Sequence, residues 1–315
     1  AFEGTPFGQI GQYERLRGTV IGEVNPTDPQ HRHIVNLDGA PTNAAGRVEY
    51  RTTVEIYRPV DMSQWNKGIY HTVANRGGAG AAEVALLEQG FAFVRVGWQG
   101  GLAPTSRNIV AELPVATEAD GSSIVGPALE EFIFNDRERL SRRALTYPAA
   151  SLDPDQATLT VRTTQDSQRT LPNDLQWRFL SHTEIEITRP TSFDGGAIYE
   201  FIYPAKDPIV LGLGFAAIRD AISFLRYEKT DPSGHQNPLA NEGLAQTAIS
   251  LGRSQSGRAL RDFVYQGFNE DTSGRIVFDG IHPNIAGSRK TFTNYQFGQP
   301  GRWQKQHEDH VYPGD

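Results

Sequence analysis

Gly252-Arg253-Ser254-Gln255-Ser256-Gly257 decides how the rest of the chain is read. An apolar run, 244–251, precedes it and reads as a buried strand. Residues 258–268 follow and read as a helix. A serine on a tight turn of small residues between strand and helix is how a serine nucleophile is held up at a sheet edge. Such a turn strains its central residue, so the residues two before and two after must be small. With Ser254 in the centre, these are Gly252 and Ser256, and both fit. With Ser256 in the centre, one of them is Arg258, which is too large. Ser254 is therefore the candidate nucleophile. The plainer reading is a solvated turn with an ordinary serine N-cap. The strand before, the helix after and a glycine-rich loop upstream favour the nucleophile.

The same turn puts Ser254 at a helix N-terminus. The backbone N–H of Gln255 then points where an oxyanion would develop, helped by the helix dipole. A second donor is expected from the loop after an earlier strand. Gly77 and Gly78, in Asn75-Arg76-Gly77-Gly78, stand in that place, and glycine lets a backbone N–H approach a ligand closely.

The bulk numbers agree with a globular protein. The chain has 315 residues, 38% hydrophobic and 21% charged, enough for one large α/β domain with insertions or two small ones. Its 32 glycines and 19 prolines favour many turns over a helical bundle. Net charge is −7 and no basic block stands out, so nucleic acid is not an expected partner. With no cysteine there is no disulfide, no thiolate nucleophile and no zinc site built on Cys. No run is long enough for a membrane helix. The chain opens on Ala1; a cleaved export signal and a trimmed sequence both account for that.

Along the chain, 17–24 and 48–57 alternate apolar and polar residues, as half-buried antiparallel strands do. Then 68–74 reads as a strand, 81–89 as a helix stopped by Gly90, and 91–96 as a short, continuously apolar strand broken only by Arg95. Strand, glycine-rich loop, helix, strand is a βαβ unit and implies a parallel sheet. Residues 102–208 break the alternation and read as a β-rich insertion, with strands at 158–163, 184–188 and 198–203. A strong helix follows at 211–227, where Phe215, Ile218, Ala221, Ile222 and Leu225 share one face. After the serine turn, 275–278 reads as a short strand ending at Asp279-Gly280. Residues 281–315 have little periodicity and read as a long loop.

Other candidates carry less. Gly78-Ala79-Gly80 places Glu83 where a dinucleotide fingerprint needs glycine or alanine, so no nucleotide cofactor is expected. His307-Glu308-Asp309-His310 has metal-ligand residue types, but Tyr312-Pro313-Gly314 follows at once and argues against a helix that would align them. A hydrated loop is the preferred reading, and neither metal nor cofactor is expected. His31 and His33 read as surface residues, and His71, in mid-strand, as core. Trp98 and Gln99 end a strand on the same edge as Ser254. They read equally as pocket wall or as sheet-edge packing.

Several stretches, in this order, have a familiar look: Asn75-Arg76-Gly77-Gly78, Gly97-Trp98-Gln99-Gly100, Gly212-Leu213-Gly214-Phe215-Ala216-Ala217-Ile218-Arg219-Asp220, the serine turn through Arg258, Phe278-Asp279-Gly280-Ile281-His282-Pro283, and His307-Glu308-Asp309-His310-Val311-Tyr312-Pro313-Gly314-Asp315. Together they resemble a family of bacterial "alpha/beta hydrolase domain" proteins, over 68–315. The resemblance implies an α/β fold of the α/β-hydrolase type. That is a mostly parallel sheet with helices on both faces, here with antiparallel N-terminal strands and the β-rich insertion, all in one domain. It implies a serine hydrolase with Ser254 as its elbow serine. Members are often exported, so a secreted or periplasmic location is expected. It names no substrate.

One departure bears on the catalytic groups. In such hydrolases the order is nucleophile, acid, histidine. Here 61 residues follow Ser254, with one clear strand. Family members look longer, so the chain resembles the front part of the domain. Either a separate segment of the same protein supplies the rest, or the triad is completed differently. Within these residues Asp279 is the candidate acid and His310 or His307 the candidate base, while His282 is poorly placed to reach over Ser254. The expected substrate is a small ester, with Trp98, Gln99 and Trp303 in its pocket. Trp177, Tyr295 and Phe297 suggest an apolar or aromatic group on that ester. A binding or structural protein on a hydrolase fold is the alternative, and acyl transfer to an alcohol is a third reading.

Overall fold

The computed structural model describes residues 1–300 apart from 79, 81, 135, 165, 193–195, 288 and 289. Among the described residues, no helix is long and apolar enough to cross a membrane. The chain starts with two long strands, β1 (Tyr13–Val24) and β2 (Val48–Pro59). They pair antiparallel along their whole length, from Tyr13 against Pro59 to Val24 against Val48. The connection between them holds one surprise. His31 is buried rather than superficial: its Nδ1 bonds the Asn25 carbonyl at 2.8 Å and its Nε2 lies 3.0 Å from the Arg219 guanidinium. His33, two residues on, is exposed as expected.

The βαβ unit follows: β3 (Gly68–Thr72), α1 (Val84–Leu87) and β4 (Ala92–Val96). The helix is a single turn, far shorter than the 81–89 expected from sequence. Glu83, in extended backbone, makes no side-chain cap that would start it earlier, and Gly90 at φ 83° closes the exit. Tyr13 ties this unit to β1 by donating its hydroxyl to the Leu87 and Phe91 carbonyls.

Between β4 and the next long helix lie β5 (Ala111–Glu112), β6 (Val125–Ile133), β7 (Leu140–Ala144), β8 (Thr158–Arg162), β9 (Gln176–Ser181), β10 (Glu184–Thr188) and β11 (Ile198–Lys206). β5 joins β2, whereas the others build two three-stranded antiparallel sheets, β7-β10-β9 and β6-β11-β8. Their apolar residues form a core of their own, including Phe132, Ile187, Phe201 and Tyr203. Then come α2 (Leu213–Tyr227), β12 (Thr247–Arg253), α3 (Gln255–Tyr265) and β13 (Gly280–Asn284).

Among the described residues the central sheet has seven strands, in the order β1-β2-β4-β3-β12-β13 with β5 beside β2. From β4 to β13 every neighbouring pair is parallel; β2 runs antiparallel to both its neighbours β1 and β4, so it alone runs against the rest. Side chains alternate between two faces. Ile69, Val94 and Ala248 pack with α2 and α3, while Tyr70 and Phe93 pack with Leu87 of α1. The sheet is thus covered on both faces, as the α/β reading requires.

One strand lies elsewhere than the sequence suggests. Residues 275–278 are not a sheet strand; β13 begins after Asp279. Val277 and Phe278 are apolar because they plug the core as a loop. Asn269 takes up the backbone groups that a ladder would use: its Oδ1 accepts from Phe278 N, its Nδ2 donates to Phe278 O, and its carbonyl accepts from Val277 N.

Candidate active site

The sheet topology picks out one place for chemistry. The chain leaves β3 toward β4 on one side and leaves β12 toward β13 on the other. β3 and β12 are adjacent and parallel, so their outgoing connections diverge and open a crevice at the carboxyl ends. Ser254 stands at that point, between the last residue of β12 and the first of α3. Its backbone has φ 59° and ψ −119°, outside the regions that L residues ordinarily occupy. Holding it there costs on the order of 1–3 kcal/mol, which the surroundings must offset.

Those surroundings are visible. Ser254 N donates to Asn284 O of β13 at 3.0 Å, and Ser254 O accepts from Arg258 N at 3.0 Å in the first turn of α3. Gly252 allows the sharp reversal: a Cβ there would lie 2.2 Å from Ser256 O. Ser254 is half-buried, whereas Ser256 is buried inside the helix, its hydroxyl 2.6 Å from Asn75 Oδ1. Of the two serines, the strained, partly open one is Ser254.

Asn75 couples this turn to the loop after β3. Its Oδ1 also accepts from Ser256 N at 3.0 Å, and its Nδ2 donates to Arg253 O at 3.2 Å. It begins a tight turn whose central residues, Arg76 and Gly77, have φ 48° and 75°. Positive φ at both positions is the mark of a primed turn and explains the glycine. The turn closes through Gly78 N to Asn75 O at 2.7 Å. That bond is a correction to the reading of Gly78 as an oxyanion donor, because its N–H is spent on its own turn. Gly77 N–H and Gln255 N–H have no such bond to a described residue. The second is one of the orphan donors at the start of α3.

Gln99 reaches the same place from the end of β4. It is buried, and its Oε1 accepts from Gln255 Nε2 at 3.5 Å. Gln255 Nε2 also donates to the Pro300 carbonyl. Trp98 does not line the crevice. It is fully buried, donates Nε1 to Ala74 O at 2.7 Å and lies parallel to Phe215. Trp177 and Phe297 are likewise drawn into the core of the insertion, and Tyr295 packs on Phe292. Trp177 and Phe297 are therefore packing residues, whereas Tyr295 is exposed. Trp303 lies outside the described residues.

The expected acid is misplaced. Asp279 precedes β13, at the end of the sheet opposite Ser254, roughly 16 Å of strand away from Asn284. Its Oδ2 accepts from Ala248 N at 2.8 Å and pairs with Arg226 at 3.0 Å. The sequence predicts a strand ending at Asp279, whereas β13 begins after it. His282 lies on β13 and is exposed. His71 is fully buried, with Nδ1 2.8 Å from Ser250 Oγ and its ring stacked on Phe278. Burial alone pushes its pKa down to about 3, so it stays neutral and belongs to the core. His307 and His310 lie outside the described residues.

Two contributors escape a reading by motif. Asn75 clamps the turn through bonds to residues far along the chain. Pro300 reaches Gln255 at the end of the segment 291–300. The only hint of either in the sequence is that Asn75 opens the glycine-rich loop.

Comparison with protein families matches residues 144–313 to the family described as alpha/beta hydrolase domain. Comparisons with curated proteins and with solved structures give no match. The family match covers more than half of the 315 residues, from the insertion through the serine turn. The chain belongs to the alpha/beta hydrolase domain family.

Proposed function

We propose that the protein is a serine hydrolase that cleaves a carboxylic ester through an acyl-enzyme. The observation that carries this is the backbone of Ser254, held at φ 59° and ψ −119° at the start of α3 and at the carboxyl end of a parallel sheet. Strain of this kind is kept where it positions a reactive group. Ser254 Oγ attacks the carbonyl carbon, and the Gln255 and Gly77 N–H groups stabilise the oxyanion. A histidine takes the serine proton and hands it to the leaving alkoxide as the ester C–O bond breaks. Water then attacks the acyl-serine, its proton passing through the same histidine back to Ser254 Oγ.

His310 and His307 are the proposed bases. They follow Pro300, whose carbonyl is held by the Gln255 side chain. Seven residues of chain span up to about 25 Å, which is ample reach to return over Ser254. His71 is excluded by its place in the core.

A fluorophosphonate probe tests the reading. The wild-type chain is expected to be labelled at Ser254, and Ser254→Ala to lose the label completely. Failure of the folded wild-type protein to react would favour a non-catalytic protein on this fold.

A further inference from the structure

On the α1 face of the sheet, away from the serine turn, lies a cavity of about 600 Å³. That is room for a small organic molecule. Its walls divide by chemistry. Phe2, Phe7 and Tyr57 are aromatic, while Arg15, Arg95, Arg107 and Glu55 are charged.

The charges do not cancel. Glu55 is buried on β2 and receives three arginines: Arg15 at 2.5 Å, Arg17 at 3.2 Å and Arg95 at 2.6 Å. Its Oε1 accepts from Arg15 Nε, Arg15 Nη2 and Arg17 Nη1, and its Oε2 from Arg95 Nη1. Three donors converge on Oε1 and one on Oε2. One negative charge thus faces three positive ones. Arg107 adds another at the cavity wall, with no ion pair to any described residue. The Arg95 guanidinium is also fixed in plane, 4.6 Å from the Phe93 ring and 5.6 Å from Tyr57. Excess positive charge, preorganised arginine forks and an aromatic wall together call for an anion with an apolar body.

We infer that this cavity binds an organic carboxylate with an aromatic or branched apolar body, its carboxylate toward Arg15, Arg95 and Arg107. None of these residues belongs to the serine turn, so the site does not depend on the hydrolase reading. The loop after β3 contributes Gly80 to its wall and Asn75 to the serine turn, which places a ligand here beside the loop that carries Gly77.

Calorimetric titration of the full chain with benzoate, benzamide and inorganic phosphate is the test. Benzoate is expected to bind, and to bind more weakly as salt rises. Benzamide and inorganic phosphate should each bind at least about tenfold more weakly than benzoate. Arg107→Ala and Arg15→Gln should each weaken benzoate by about tenfold. Arg107 has no ion pair among the described residues to lose, so its variant is expected to fold. Arg178→Gln, on the insertion, serves as the control for loss of charge alone and should leave benzoate binding unchanged. The proposal is overturned by absence of benzoate binding, by equal binding of benzamide or of phosphate, or by an equal loss in Arg178→Gln.

Discussion

At the scale of single residues, the crevice depends on positions with almost no side chain. Gly252 is the clearest. A methyl group there would meet backbone, Ser256 O at 2.2 Å, and backbone in the first turn of a helix does not yield cheaply. Either α3 moves off β12 or Ser254 leaves its φ of 59°. Gly252→Ala is therefore expected to lower stability by roughly 1–3 kcal/mol. It should also abolish fluorophosphonate labelling while the fold persists. Urea denaturation and labelling of the same preparation check both parts; a variant that labels at the wild-type rate contradicts the strain argument. Ser256 shows why the serine pattern alone is ambiguous. It is as close to the turn in sequence as Ser254, yet its hydroxyl is committed to Asn75 Oδ1 at 2.6 Å.

At the scale of elements, β3 and β12 meet through His71 and Ser250, which are register partners. His71 Nε2 is buried without a hydrogen bond among the described residues, so the ring has no way to carry charge there cheaply. Burial pushes its pKa from 6.5 to about 3. The sign follows directly. Between those two values the unfolded chain binds a proton that the folded chain does not, so stability is full above 6.5 and falls as pH drops toward 3. From pH 7 to 5 this one group should cost roughly 2 kcal/mol. His71→Asn is expected to flatten that slope. Denaturation midpoints at the two pH values measure it; an unchanged slope in the variant assigns the loss to other groups. The strands themselves were legible, because alternation in 48–57 and the apolar run of 91–96 are direct prints of burial on one face or both. The helix after β3 and the strand around Phe278 were not. One turn of helix leaves no period to read. Val277 and Phe278 are as apolar as a strand because they fill the core, with Asn269 closing the backbone. Because β13 starts after Asp279 rather than ending at it, Asp279 falls at the end of the sheet opposite Ser254. The geometry of the candidate site is legible where local chemistry dictates it, in the turns at Gly252, Ser254 and Gly77, and illegible where distant segments meet, at Asn75 and Pro300.

At the scale of the molecule, 291–300 joins parts that the sheets leave separate. Thr291 bonds Asp262 of α3 through both its N–H and its hydroxyl. Asn294 accepts from Val35 N and donates to His33 O, in the connection between β1 and β2. Phe297 then enters the core of the insertion, its ring 5.2 Å from Tyr147 and edge-on to it. Gln299 donates to the buried Glu130 of β6 at 3.1 Å, and Pro300 accepts from Gln255 beside Ser254. The insertion has its own core, so this segment carries much of the coupling between it and the crevice. Phe297→Ala removes the apolar anchor. Truncating a buried phenylalanine typically costs about 3–5 kcal/mol, and here the loss should fall on the docking rather than on the central sheet. Hydrogen exchange should show amides of β6, β11 and 291–300 losing protection, while β3, β4 and β12 keep theirs. Ser254 should still be labelled, because its strain is held by Asn284 and Gly252, which the change leaves alone. A uniform loss of protection across both cores would show instead that the insertion and the sheet unfold as one unit, and that 291–300 is not their tether.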